Sequence, residues 1–177
     1  MNYEEFNNLA GGIASAATVL ALAVGGFWTY NRFVKQREKF PFIEFTVDIF
    51  PVGKQGDWWI VELIAYIENK GKVQHRIRDF DFHLVALSER EQVTISEEWG
   101  NQVDFKETVA RGSWLPKKAK FFFVDPGVKA KYSYIARVPA GRSFLNLHAR
   151  FVYLDQEASH TAERTIEMPR STQSVGS

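Results

Sequence analysis

The chain has 177 residues with nearly balanced charge, 22 Lys and Arg against 21 Asp and Glu. That balance argues against a dedicated nucleic-acid binder, which carries a basic excess. The absence of cysteine excludes disulfides, thiolate metal sites and cysteine nucleophiles.

The run from Leu9 to Tyr30 contains no charged side chain. As a helix rising ~1.5 Å per residue it would extend roughly 33 Å, against about 30 Å of bilayer hydrocarbon. The expectation is a transmembrane helix over 9–30, after a short extracytoplasmic N-terminus over 1–8. Ala21-Leu22-Ala23 offers a signal-peptidase type of site, but Glu4 and Glu5 occupy the start where a signal peptide needs positive charge. Positive charge follows the run instead, at Arg32, Lys35, Arg37 and Lys39, in a basic juxtamembrane linker over 31–41. Basic flanks stay cytoplasmic. The expected placement is therefore single-pass in the cell inner (plasma) membrane, N-terminus outside and C-terminal domain cytoplasmic. Trp28 and Tyr30 join those four cations as expected membrane-interface residues. Within the run, Ala17, Ala21 and Gly25 fall at i, i+4 and i+8, and Gly12 and Ala16 form a second small pair. Small residues at that spacing let helix backbones approach closely, so the expected partners are the lipid bilayer and either a second copy or another membrane protein.

From Phe42 the period changes to two. Ile43, Phe45, Val47 and Ile49 alternate with Glu44, Thr46 and Asp48, which reads as a half-buried strand. Trp58 to Glu68 is apolar on both faces, which suits a central strand. Asn69-Lys70-Gly71 reads as a tight hairpin turn. In Val73 to Leu87 the parity shifts: Ile77 takes one face, while Phe80, Phe82, Leu84 and Ala86 take the other. A bulge or a strand changing sheets near Arg78 would do this. Ser88 to Gly112 is the least patterned stretch, with two short strands and one helical turn at Ser96-Glu97-Glu98. Lys120 to Val124 is a strand ended by Asp125-Pro126-Gly127. Ala130 to Val138, Phe144 to Leu154 and His160 to Met168 are further strands, and 169–177 is a disordered tail.

Seven or eight strands separated by turns predict a sandwich or barrel over 42–168. Ile67-Glu68-Asn69-Lys70-Gly71, and Asp125-Pro126-Gly127 leading into Tyr132-Ser133-Tyr134, resemble the turns of immunoglobulin-like or fibronectin-like β-sandwiches. The fold class expected is mainly β: one N-terminal transmembrane α-helix, then a 7–8-stranded antiparallel immunoglobulin-like β-sandwich. The resemblance is one of fold and implies no activity.

No nucleophile elbow, phosphate loop, dinucleotide fingerprint or zinc-protease motif occurs. His75 and His83 lie too far apart for alternate ligands on one strand face, so His75, His83, His148 and His160 read as surface or hydrogen-bonded histidines. Asp79 and Asp81 read as a solvated face. Lys117-Lys118-Ala119-Lys120 before Phe121-Phe122-Phe123 reads as charge guarding an aggregation-prone strand. The expectation is no enzyme activity, no catalytic residue, no cofactor, no metal and no nucleic-acid partner. The expected function is a membrane-anchored interaction module, a non-catalytic subunit or scaffold of a membrane complex. Trp58, Trp59, Trp99 and Trp114 are its candidate partner-binding anchors. A second expectation is a sensing effector whose helices oligomerise and perturb the membrane.

Overall fold

The structure is a computed structural model that describes residues 3–35, 41–97, 100–155 and 157–169. The chain divides into two compact units, Met1–Pro41 and Phe42–Ser177.

The first unit holds helix α1, Tyr3–Thr29, followed by a π-helical turn over Tyr30–Lys35. The described side chains between Ala14 and Tyr30 are all exposed, among them Ala16, Ala17, Ala21 and Gly25, and so is Gly12. The Arg32 guanidinium lies over the Trp28 ring at 5.4 Å. Lys35 belongs to the π-helical turn, and Arg37 and Lys39 lie outside the described residues. Among the described residues no helix is long and apolar enough to cross a membrane. The transmembrane helix expected over 9–30 is thereby corrected. Helix α1 begins at Tyr3, ahead of the charge-free run. Its middle is built largely of Gly and Ala, which bring little apolar surface, at ~25 cal/mol per Å², to offset burial in hydrocarbon.

The second unit is mainly antiparallel β-structure. Its strands are β1 Ile43–Gln55, β2 Trp58–Asn69, β3 His75–Ser88, β4 Ile95–Ser96, β5 Gln102–Val103, β6 Glu107–Ser113, β7 Phe122–Val124, β8 Lys129–Pro139, β9 Arg142–Tyr153 and β10 Ser159–Glu167. A three-stranded sheet runs β1-β2-β8, and a five-stranded sheet runs β10-β9-β3-β6, with β7 also paired to β3. The inner faces of the two sheets meet in one core, a β-sandwich. Strand β2, apolar on both faces, is the central strand of the smaller sheet, as its pattern predicts. Phe45 of β1 reaches across to Phe151 at 5.0 Å and Phe80 at 5.8 Å.

The parity shift in β3 is a bulge. The β3–β9 register slips between Arg78 and Asp81, and Asp79 sits at φ 50°. Asp tolerates this left-handed conformation better than most side chains because it can bond locally to the backbone. On one side of the slip His75 and Ile77 point inward; on the other Phe80, Phe82, Leu84 and Ala86 do.

The Asn69-Lys70-Gly71 turn is present, but it does not close a hairpin. It carries the chain from β2 in the smaller sheet to β3 in the larger. Asn69 is fully buried. Its amide donates to Val73 O and Val124 O at 2.9 Å each, and its Oδ1 accepts from Gly71 N at 2.9 Å. Its backbone N–H donates to Val128 O, and its carbonyl accepts from Gly127 N. One side chain thus ties the β2–β3 crossing to the β7–β8 crossing at Asp125-Pro126-Gly127. In β6, Gly112 lies against Phe82, which is itself held by Trp114 at 5.0 Å and Tyr134 at 4.7 Å.

Candidate binding trough on the outer face of the larger sheet

Alternation along β3, β9 and β10 sends every second residue to the solvent face of the larger sheet. The register places Val85 opposite Asn146 and Leu87 opposite Phe144, with Thr165 of β10 beside Asn146. These side chains floor an open trough of about 730 Å³. Its wall is the least patterned part of the sequence: Val93, Val103 and Phe105, carried by and next to the β4–β5 hairpin. The hairpin turns at Gly100 and Asn101, both at positive φ (71° and 64°), and is closed by Asn101 N–H donating to Ser96 O at 3.0 Å. Asp104 N–H donates to Thr94 O at 2.9 Å and fixes the strand ends.

The trough is apolar with a polar rim. Val93 is 56% exposed, Val103 44% and Phe144 39%, which is high for apolar side chains gathered in one place. In the floor, Asn146 is buried and donates to Glu163 Oε1 and to Thr165 Oγ1. The Arg142 guanidinium is paired with the Glu107 carboxylate at 2.6 Å.

One rung further along, pairing brings His83 opposite His148, with Arg111 of β6 and Glu163 of β10 on either side. His83 Nε2 lies 2.9 Å from Thr108 Oγ1. Burial lowers the His83 pKa, and the Arg111 charge and His148 lower it further. The neutral form of His83, which these groups favour, can share a hydrogen bond with Thr108.

The other two histidines point elsewhere. His75 is buried on the inner face, its ring 5.5 Å from Tyr153. His160 stacks on Phe151 at 5.2 Å and meets Tyr153 edge-on at 5.5 Å. Burial pushes the Tyr153 hydroxyl up and pushes both histidines down, with Asp155 partly opposing this at His75. A histidine whose folded pKa is lowered adds stability above its unfolded pKa and loses it on acidification. The melting temperature is therefore expected to fall from pH 7.5 to pH 5, with the loss beginning near the ordinary histidine value of 6.5. His160→Leu should flatten part of that fall. A melting temperature that rises over the interval would contradict the assignment.

The structure disperses the predicted tryptophan anchors. Trp58 and Trp59 begin β2 in the smaller sheet: Trp58 is 39% exposed under the Arg137 guanidinium at 4.6 Å, and Trp59 is half-buried against the core. Trp114 is buried on Phe80 and Phe82 and cannot serve as a surface anchor. Trp99 lies outside the described residues. The trough was visible in the sequence only as the unpatterned stretch Ser88 to Gly112. Its floor comes from β3 and β9, whose adjacency no local signal announces. Asp79 and Asp81 border a smaller hollow of about 350 Å³ with Lys117 and Lys120. Among the described residues no group of three or more His, Asp or Glu side chains is placed to hold a metal ion.

No protein-family model matches the chain, and no curated protein does. Solved structures resemble it weakly. The putative ApaA protein from Bordetella pertussis is 17% identical, with 73% of this chain and 95% of that chain covered at a TM-score of 0.42. A protein from Archaeoglobus fulgidus is 11% identical, with 72% and 97% covered and a TM-score of 0.37. Bacteroides uniformis beta-glucuronidase 2 is 7% identical over 68% of this chain but only 12% of its own, with a TM-score of 0.39.

Proposed function

We propose that this protein is a non-catalytic interaction module of immunoglobulin-like or fibronectin-like build, and that the trough seats an extended apolar segment of a protein partner. The build is supported by the strand order, β1-β2-β8 facing β10-β9-β3-β6 with alternate crossings between the sheets. The function rests on one observation: exposed apolar side chains, Phe144 of β9 and Val93 and Val103 at the β4–β5 hairpin, gather over half-buried Val85 on a sheet face where isolated domains place polar residues. Beside the apolar lining, the Glu163 carboxylate and the Thr165 hydroxyl, held by Asn146, are the polar groups that would meet a bound backbone.

Val103→Asp combined with Phe144→Asp tests the reading, because both side chains are exposed and neither belongs to the core. In a pull-down with the full chain, the proteins retained by the wild type should be lost. With a partner in hand, its affinity should fall more than tenfold, as at interface hot spots. Thermal melting should be unchanged. Retention of the same partners by the double variant at undiminished affinity would refute the assignment.

A further inference from the structure

We propose that a second surface of the β-domain, the corner formed by β7 and the segment leading into it, makes contact with an anionic lipid bilayer. Among the described residues, strand β7 pairs with the first residues of β3 alone: Val124 with His75, Phe123 with Arg76, Phe122 with Ile77. Phe122 turns inward and joins the core beside Phe80 at 5.7 Å and Tyr132 at 5.4 Å. Alternation then sends Phe121 and Phe123 outward, where they stand 38% and 53% exposed, edge to face at 5.4 Å. The Arg76 guanidinium lies 5.9 Å from the Phe121 ring while also bonding Asp155.

The cations complete the surface. Lys117, Lys118 and Lys120 are exposed, and among the described residues none of them pairs with a carboxylate. Three other lysines of the domain are paired, while Lys54 and Lys106, away from this cluster, also lack a carboxylate among the described residues. Lys70 pairs with Glu44, Lys129 with Glu68 at 3.9 Å and Lys131 with Glu62 at 3.4 Å. The acids around the corner are Asp79 and Asp81, which border the hollow lined by Lys117 and Lys120, Asp125, which follows β7 and accepts from Gln74, and Asp155, which binds Arg76; with Arg76 and Arg78, itself paired with Asp79 at 3.2 Å, the cations are five against these four carboxylates. A positive excess remains.

Charge guarding a sticky strand accounts for the lysines. It does not account for two phenylalanines projecting from a sheet edge among them. A bilayer accounts for both: the rings enter the interface while the lysines extend to the phosphates of anionic lipids. An acidic peptide would match the charge but would leave the two exposed rings in water. The contact uses a face of the β-domain and needs no membrane-crossing helix.

The test is co-sedimentation of the full chain with phosphatidylcholine vesicles and with vesicles in which about a third of the lipid is phosphatidylglycerol. At low salt the wild type should prefer the anionic vesicles. Replacing Lys117, Lys118 and Lys120 together by Gln should weaken that binding by roughly 100-fold, about fivefold per lysine. Phosphatidylcholine binding and the melting temperature should stay as they were. Phe121→Ser with Phe123→Ser should weaken binding to both vesicle types. The proposal is overturned if the wild type shows no anionic preference. It is also overturned if the triple variant keeps that preference, which would place it on other cations such as Arg32. Capture by soluble polyglutamate without any vesicle preference would point to an acidic protein partner and likewise overturn it.

Discussion

Asn69→Ala is expected to lower the stability of the β-domain by about 3 kcal/mol, measured as a shift in denaturant midpoint at constant slope, since it strips buried backbone groups of their partners. Two carbonyls, Val73 O and Val124 O, lose a donor, and Gly71 N–H loses its acceptor. The residue is fully buried, so solvent does not replace those bonds without opening the junction of the two sheet crossings. Asn69→Asp separates the hydrogen-bonding account from simple loss of volume. Aspartate keeps the acceptor for Gly71 but turns both donors into a carboxylate facing two carbonyl oxygens. At neutral pH it should cost at least as much as Ala. Its deficit relative to wild type should shrink on acidification, because the protonated acid regains one donor. A loss under about 1 kcal/mol for Ala would show that the crossings do not depend on this side chain.

The second large effect is steric. A Cβ at Gly112 would stand 2.7 Å from Phe82 Cζ and 2.9 Å from Cε1. Gly112 is not among the glycines at positive φ, so the backbone itself would accept a side chain and the cost is overlap alone. Phe82 cannot swing aside freely, since Trp114 and Tyr134 hold its ring. Gly112→Ala is therefore expected to destabilise by about 2–3 kcal/mol, at the upper end of ordinary overpacking. Phe82→Leu should relieve the clash. In the double variant the two losses should fall short of their sum by about 1 kcal/mol or more, the coupling expected of residues in contact. Strict additivity in that cycle would place the clash elsewhere.

The contrast between Asn69 and Gly112 marks where local sequence stops being informative. Asn69-Lys70-Gly71 is readable as a turn because Asn and Gly favour turn geometry. That the turn crosses between sheets instead of closing a hairpin depends on Val124 and Val128, brought to it by distant pairing. Gly112 carries no local signal, because its neighbour across the ladder is Phe82. The bulge in β3 was legible, since a parity shift is itself a sequence pattern. The burial of His75 was not, since the sequence alone read it with the other histidines as a surface or hydrogen-bonded group.

The candidate site was less legible than the fold. Tryptophan content pointed to Trp58, Trp59, Trp99 and Trp114, yet the structure buries Trp114 and sets Trp58 and Trp59 on the other sheet from the trough. Residue type says what a side chain does when exposed, and exposure is settled by packing. The N-terminal run shows the same limit from another direction. A lack of charge between Leu9 and Tyr30 suggested a membrane span, but helix α1 begins earlier, at Tyr3, and small side chains leave it short of the necessary apolar character.

By itself the sequence determined the alternation of strands and turns, the parity shift near Arg78 and the helical start of the chain, because each depends on residues within a few positions of one another. Tertiary structure alone decided which strands became neighbours. It faced His83 with His148, set Val85 and Leu87 against Asn146 and Phe144, and brought the β4–β5 hairpin beside the latter four. Those contacts join segments far apart in the chain. Their loop-closure entropy is offset only by the burial of both inner faces together, so the trough on the outer face exists only once the core has formed.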